Sequence, residues 1–413
     1  MKQAKLFNIV LSFFLLLSTC QAGGRVLTGD EIFVQRFLNL IKGKRVGIIT
    51  NQSGMLQDGR HIVDVLAGVH GTKVVALFGP EHGIRGTAPA GAVVGNGVDE
   101  KTGIPIFSLY GRTNKPTPEM LKGIDVLIYD IQDVGARFYT YISTLDLTLE
   151  AAAENRIEYI VLDRPDMLRA DFVDGPVLVD SLKSFVGIQP IPSVYGMTPG
   201  ELATMFNEAG WIAGGNKANL RVIKMENYDR KMWYDQTGLL WQKPSPNLPD
   251  MASVEVYPGT VLIEATNISE GRGTEKPFEY IGAPFINGKK LANLLNQQHI
   301  KGVRFEKVDF KPESLPWANN PKYEGEICHG VKIVVTDRNR LKPVEMGIYL
   351  LWALRKLYPD SLKVRPLALD RLAGTPVIRK MIYEGKHPGE IISSWQKETE
   401  QFSRFREKFL LYK

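Results

Sequence analysis

The chain has 413 residues, 44% apolar and 23% charged, with two cysteines; this is ordinary globular composition, and it excludes a disordered, collagenous or disulfide-stapled protein. That length accommodates two domains, or one large α/β domain with a smaller companion. The 51 Lys and Arg against 45 Asp and Glu leave a net charge of +6 without any basic block, so nucleic acid is not an expected partner and the excess fits weak attraction to anionic substrates.

Lys2 and Lys5 precede an apolar run over 7–17, and Ser18-Thr19-Cys20-Gln21-Ala22 supply small residues before Gly23-Gly24. Residues 1–22 thus read as an export signal whose apolar run is too short to span a membrane. Cleavage after Ala22 gives a secreted or periplasmic protein. Read instead as a lipobox, Leu17-Ser18-Thr19-Cys20 makes Cys20 a lipidated N-terminus, and only then is a membrane a partner. After cleavage at Ala22, Cys328 is the only cysteine. It is expected to be a buried structural thiol and not a nucleophile served by His329, because neighbours in a strand face opposite ways.

Apolar, β-branched runs then alternate with helical spacings. Strands are expected at 45–50, 73–78, 105–110, 125–130, 158–162 and 220–225, with helices at 61–68, from Thr117-Pro118, at 141–155, and from Thr198-Pro199-Gly200-Glu201 to about 209. Such alternation predicts an α/β fold, with a Rossmann-like, mostly parallel sheet domain over 24–250. Pro244-Ser245-Pro246-Asn247-Leu248-Pro249 reads as a linker or an ordered active-site loop. A strand at 332–336 and helices at 345–357 and 375–383 then give a second, smaller α+β domain over 251–413.

In open α/β sheets ligands bind beyond the carboxyl ends of the strands. Asn51-Gln52-Ser53-Gly54 follows the first strand and Gly79-Pro80-Glu81-His82-Gly83-Ile84-Arg85-Gly86 the second. Tyr110-Gly111-Arg112, the block from Asp130 to Tyr141, and Asp163-Arg164-Pro165 follow the next three. So much carboxylate, Arg, Tyr and Gly on one rim predicts a shared site. Neither G-x-G-x-x-G nor a P-loop follows the first strand, and no two-His metal spacing or G-x-S-x-G elbow occurs, so no nucleotide cofactor, metal or serine acyl-transfer site is expected.

The remaining carboxylates, amides, tyrosines and arginines suit glycoside hydrolysis. One carboxyl protonates the glycosidic oxygen and another stabilises or attacks the oxocarbenium-like centre. Glu81 is the expected acid, since Gly-Pro brings it off an apolar strand and flanking glycines admit a substrate. Asp130, Asp133 and Glu270 are candidates for the second group, although either Asp can instead pair with Arg137. Glu270 and Arg272 sit on the loop Thr266-Asn267-Ile268-Ser269-Glu270-Gly271-Arg272-Gly273-Thr274, suited to reach over a cleft. His82 either tunes Glu81 or caps its loop. Asn51, His82, Arg85, Tyr110, Arg137, Tyr139, Tyr141, Arg164, Asn247 and Arg272 are the candidate substrate-binding residues.

Taken in order, the blocks at 79–86, 130–141, 162–165, 244–249 and 269–274 resemble the exo-β-N-acetylmuramidase family of glycoside hydrolases across essentially the whole mature chain. The resemblance implies a Rossmann-like N-terminal domain, a smaller C-terminal one and a cleft between them. It implies release of terminal β-linked N-acetylmuramic acid from the non-reducing ends of peptidoglycan fragments such as muropeptides or disaccharides, without a cofactor. The Glu of G-P-E-H-G, here Glu81, is then the leading catalytic residue; Thr87 stands where an acidic residue is frequent. N-acetylmuramic acid bears a lactyl carboxylate for which Arg85, Arg137, Arg164 and Arg272 are the candidate bidentate partners, and Tyr110, Tyr139 and Tyr141 are candidates to stack on the sugar. Rival readings are a non-catalytic binder of muropeptides or other anionic sugars, and an esterase or amidase acting on cell-wall material.

Overall fold

The computed structural model describes residues 24–86 and 95–413; the export-signal and Cys20 lipidation readings, and Thr87, lie outside them. Seven strands make the first sheet: β1 (Arg45–Thr50), β2 (Lys73–Gly79), β3 (Gly97–Val98), β4 (Pro105–Ser108), β5 (Val126–Asp130), β6 (Glu158–Leu162) and β7 (Asn219–Ile223). Their order is β3-β4-β2-β1-β5-β6-β7, and every adjacent pair is parallel except β3 with β4. The chain builds outward from β1 on one side and then returns to lay β5 against its other side. That reversal is the switch point of a doubly wound sheet.

Alternation along the central strands feeds two cores. Ile49, Leu127 and Tyr129 enter one buried cluster, while Val46, Ile48, Val126 and Ile128 enter another on the opposite face. Helices α1 (Gly29–Ile32) and α2 (Ile62–Ala67) cover the second face; α3 (Pro118–Leu121), α4 (Tyr141–Asn155) and α5 (Pro199–Glu208) cover the first. Both faces being covered is why β5 is buried at every position. The capping box read in the sequence opens α5: Thr198 Oγ1 accepts from the Glu201 amide at 3.3 Å, and Glu201 Oε2 accepts from the Thr198 amide at 3.0 Å, an arrangement worth about 1 kcal/mol.

The second part begins with α6 (Met251–Thr260), which runs into a 3-10 turn over Val261–Ala265. Strands β8 (Tyr280–Ala283), β9 (Val303–Phe310) and β10 (Cys328–Val335) form an antiparallel sheet in the order β8-β10-β9. Helix α7 (Gly288–Asn296) packs on it, followed by α8 (Pro343–Leu357), α9 (Pro366–Ala373), α10 (Val377–Tyr383), α11 (Pro388–Ser393) and α12 (Gln396–Arg406). The two sheets lie on either side of residue 250, yet one hydrophobic cluster joins Ile49 and Leu127 to Val331, Ile333 and Leu350. Helices α6 and α8 cross at backbone contact, since a Cβ on Gly259 would lie 1.9 Å from the Pro343 carbonyl oxygen; only glycine fits there.

Several elements differ from the sequence-based expectation. Helix α6 has no expected counterpart because Pro258-Gly259 reads as a break, but the fold keeps Pro258 inside the helix at the cost of the amide hydrogen bond to the Val254 carbonyl. Strand β9 carries Arg304, Glu306, Lys307 and Asp309 on a solvated edge, which masks its alternation. Strand β10 is longer than expected and contains Cys328.

The Cys328 side chain is fully buried, and burial pushes its thiol up to about 12. His329 faces away and meets Asp309 Oδ1 at 2.7 Å through Nδ1. Cys328 in the folded protein is therefore expected to resist a thiol-exchange reagent at about pH 8 and to react fully on denaturation. Peptide mapping of the labelled site checks this, and rapid native labelling would contradict it.

Candidate active site

Strand β2 delivers its last residues to a turn in which His82 and Gly83 both take φ of +73° and the Gly83 amide donates to the Pro80 carbonyl at 3.0 Å. A left-handed histidine is uncommon and costs backbone energy, as is frequent at functional sites. This turn presents the half-buried Glu81 to a cavity of about 450 Å³, within the usual range of ~300–1,000 Å³ for small-ligand sites. Thr140, the N-cap of α4, donates through Oγ1 to Glu81 Oε2 at 3.4 Å. Tyr110 lies on the same wall; burial and the neighbouring Glu81 push its hydroxyl well above the ordinary range.

The second part of the chain supplies the other walls. Gly271 and Gly273 both take φ of +78°, folding the loop so that Glu270 and Arg272 line the cavity. Arg272 Nη2 meets Glu264 Oε1 at 2.6 Å and its Nε meets Glu270 Oε1 at 3.3 Å. Although burial opposes its charge, the two glutamates push the guanidinium above its ordinary value. Lys322 Nζ reaches Glu270 Oε2 at 2.8 Å and donates to the carbonyls of Ile268, Ile263 and Glu264 at 2.9, 3.2 and 3.2 Å. An alternating array of charges thus borders the cavity.

Asn247, on the proline-rich segment, also lines it. That segment is an ordered loop against the cavity: Asn247 Nδ2 donates to the Trp317 carbonyl at 3.3 Å, while its Oδ1 is buried with no partner among the described residues. Such an acceptor suits a ligand N–H.

The expected site residues divide into two sets. Glu81, His82, Tyr110, Tyr139, Asn247, Glu270 and Arg272 all line the cavity. Asp130, Asp133, Arg85, Arg137, Arg164, Asn51 and Tyr141 do not. Arg164 is shared by Asp130 (Nε to Oδ1, 2.5 Å) and Asp30 (Nη2 to Oδ2, 2.7 Å), with all three side chains at most 5% exposed. Asp133 accepts from the Gly135 amide at 2.7 Å and from the Tyr195 hydroxyl, and burial pushes its carboxyl up to about 6.

Arg137 pairs with neither aspartate. Its Nη2 donates to the Leu372 carbonyl at 2.9 Å at the end of α9, a favourable place for a cation, although burial pushes it down to about 9. Arg85 is taken by Asp99 and Asp64, each at 3.0 Å. Asn51 Oδ1 accepts from the Ser53 amide and hydroxyl at 2.9 and 2.6 Å.

Tyr141 donates to the Pro244 carbonyl at 2.9 Å, and its ring packs edge-on to Tyr139 with centroids 4.8 Å apart. Those two rings form packed wall and not a stacking platform. The crevice between β1 and β5 is thus filled by its own buried polar side chains, although Asn51 Nδ2, Asp130 Oδ2 and Asp133 Oδ1 have no hydrogen-bond partner among the described residues. The cavity lies to one side, where the β2 and β5 loops meet the second part of the chain. Sequence reasoning missed Glu264, Lys322, Arg365, Tyr257 and Trp317, which also line it. Glu264 follows an apolar run, and the others occupy segments without a motif. No group of three or more His, Cys, Asp or Glu among the described residues could hold a metal ion.

Residues 46–252 match the family model described as exo-β-N-acetylmuramidase NamZ, N-terminal, and residues 255–412 its C-terminal counterpart. The peptidoglycan β-N-acetylmuramidase NamZ of Bacillus subtilis (strain 168) is 47% identical over 389 residues, covering 94% of this chain and 92% of that protein. Two crystal structures of DUF1343 family proteins from Bacteroides fragilis NCTC 9343 are also similar, with TM-scores of 0.87 and 0.77 at 38% and 36% identity. Each comparison covers 94% of this chain and 99% of the other.

Proposed function

The chain belongs to the exo-β-N-acetylmuramidase family, and from that premise we propose that it removes terminal β-linked N-acetylmuramic acid from the non-reducing ends of peptidoglycan fragments, with Glu81 as proton donor. The observation that carries the residue assignment is the position of Glu81. It is the carboxyl that the parallel sheet presents to the cavity, beside the Thr140 and Tyr110 hydroxyls.

Bond cleavage at the anomeric carbon needs a proton on the leaving oxygen and negative charge near the oxocarbenium-like centre. Glu81 supplies the first. Glu264 and Glu270, fixed by Arg272 and Lys322, are the cavity carboxylates suited to the second; Asp130 and Asp133 do not fit that role because both are buried at the carboxyl end of β5 and neither lines the cavity. The rest of the fragment extends along an adjoining depression lined by Trp241 and Trp317, the latter shared with the Glu81 cavity. The leader-like residues 1–22 support action in the periplasm or outside the cell, where peptidoglycan lies.

Mass spectrometry of products from defined peptidoglycan fragments tests the reading. Fragments ending in N-acetylmuramic acid are expected to lose that one residue, and fragments capped by N-acetylglucosamine to remain intact. Binding without release, or turnover only of ester or amide analogues, would overturn it.

A further inference from the structure

Three Lys or Arg side chains line the cavity among the described residues: Arg272, Lys322 and Arg365. Arg272 and Lys322 are engaged by Glu264 and Glu270. Arg365 differs. It is exposed, and its guanidinium makes one hydrogen bond among the described residues, from Nη2 to the Glu264 carbonyl at 2.8 Å, with no carboxylate partner.

Its backbone is nevertheless firmly placed. The Arg365 amide donates to the Ala265 carbonyl at 2.8 Å, and Val364 pairs with Thr266 as a β-bridge. Asn267 bonds the Lys363 amide and the Ser361 carbonyl at 2.8 and 3.0 Å. A held guanidinium with unused donors on a ligand cavity is matched in shape and charge to a carboxylate. The charges of Arg272 and Lys322 are already offset by those glutamates, so they attract a further anion less than Arg365 does.

Resting on the function proposed above, we infer that Arg365 pairs with the lactyl carboxylate of terminal N-acetylmuramic acid and thereby separates this sugar from N-acetylglucosamine, which lacks it. Arg365 takes the place of the four arginines expected from the sequence: Arg85, Arg137 and Arg164 are turned away, and Arg272 is occupied.

The test compares wild type, Arg365→Ala and Arg365→Lys on a chromogenic N-acetylmuraminide and on its lactyl carboxamide counterpart, with unfolding midpoints measured alongside. Wild type is expected to prefer the carboxylate substrate. Arg365→Ala should lower kcat/KM on that substrate by about 10- to 100-fold, mainly through KM, so that the ratio between substrates falls toward one. Arg365→Lys should keep part of the preference, since it retains charge but loses the planar fork, and it supplies the ratio if the alanine variant does not fold. An unchanged ratio in the variants of an active enzyme, or a wild type indifferent to the carboxylate, overturns this assignment alone. A wild type that releases sugar from neither substrate overturns the proposed function, and the assignment with it.

Discussion

Glu81→Gln is expected to lower kcat on N-acetylmuraminides by about 10²- to 10⁴-fold while leaving ligand affinity within a few-fold. Gln matches Glu in size, and its amide oxygen can still accept from the Thr140 hydroxyl that now lies 3.4 Å from Glu81 Oε2. The cavity should therefore keep its shape and lose only the transferable proton. Substrates with a good leaving group need little protonation at the glycosidic oxygen. The deficit should accordingly be smallest for nitrophenyl-type glycosides and largest for natural disaccharides. Steady-state kinetics across leaving groups, with calorimetric binding of an unreactive analogue, read both effects. Near-normal turnover of a disaccharide by the variant would remove Glu81 from the mechanism.

Arg164→Met is expected to destabilise the fold by about 3–5 kcal/mol near neutral pH. The guanidinium is shared by Asp130 at the end of β5 and Asp30 on α1, so its removal strands two buried carboxylates. In the native protein burial and the charge of Asp30 already push the Asp130 carboxyl above its ordinary range, and Arg164 opposes them. Without the cation the Asp130 carboxyl takes up a proton when folded. The folded variant then binds more protons than its unfolded chain above the ordinary carboxylate range, so its stability falls as pH rises. The deficit relative to wild type should be larger at about pH 8 than at about pH 5, as measured by denaturant midpoints. Equal deficits would show that packing, not charge, is what Arg164 supplies. Adding Asp130→Asn should recover part of the loss.

Where local pattern and burial agree, the elements were legible. Helix Tyr141–Asn155 and strand Glu158–Leu162 match the expected bounds, since each carries a strong periodic signal. Cys328 and His329 diverge as alternation along a strand requires. Helix α6 and strand β9 were hidden, because a proline inside a helix and charges on an edge are tolerated by the fold but look like interruptions in a linear reading.

The same contrast holds for chemistry. Glu81 follows from local information: an apolar strand, a Gly-Pro exit and a turn that must face the ligand side of a parallel sheet. Which arginine meets a substrate anion does not. Arg164 and Arg365 are equally basic in a linear reading, and Arg164 even follows a strand end. Only packing reveals that two aspartates claim Arg164, while Arg365 has a carbonyl for company.

Strand alternation, capping and the order of βα units are short-range properties, so the parallel sheet and its chemically armed rim could be inferred from the residues alone. Pairing between charges distant in the chain, such as Arg164 with Asp130 and Asp30 or Lys322 with Glu270, is a long-range property. It closed the crevice at the centre of the sheet and shifted the cavity towards loops from the second half of the chain. Burial forces polar groups to find partners wherever folding brings them, and that choice of partners sorts the arginines and carboxylates into scaffold and site.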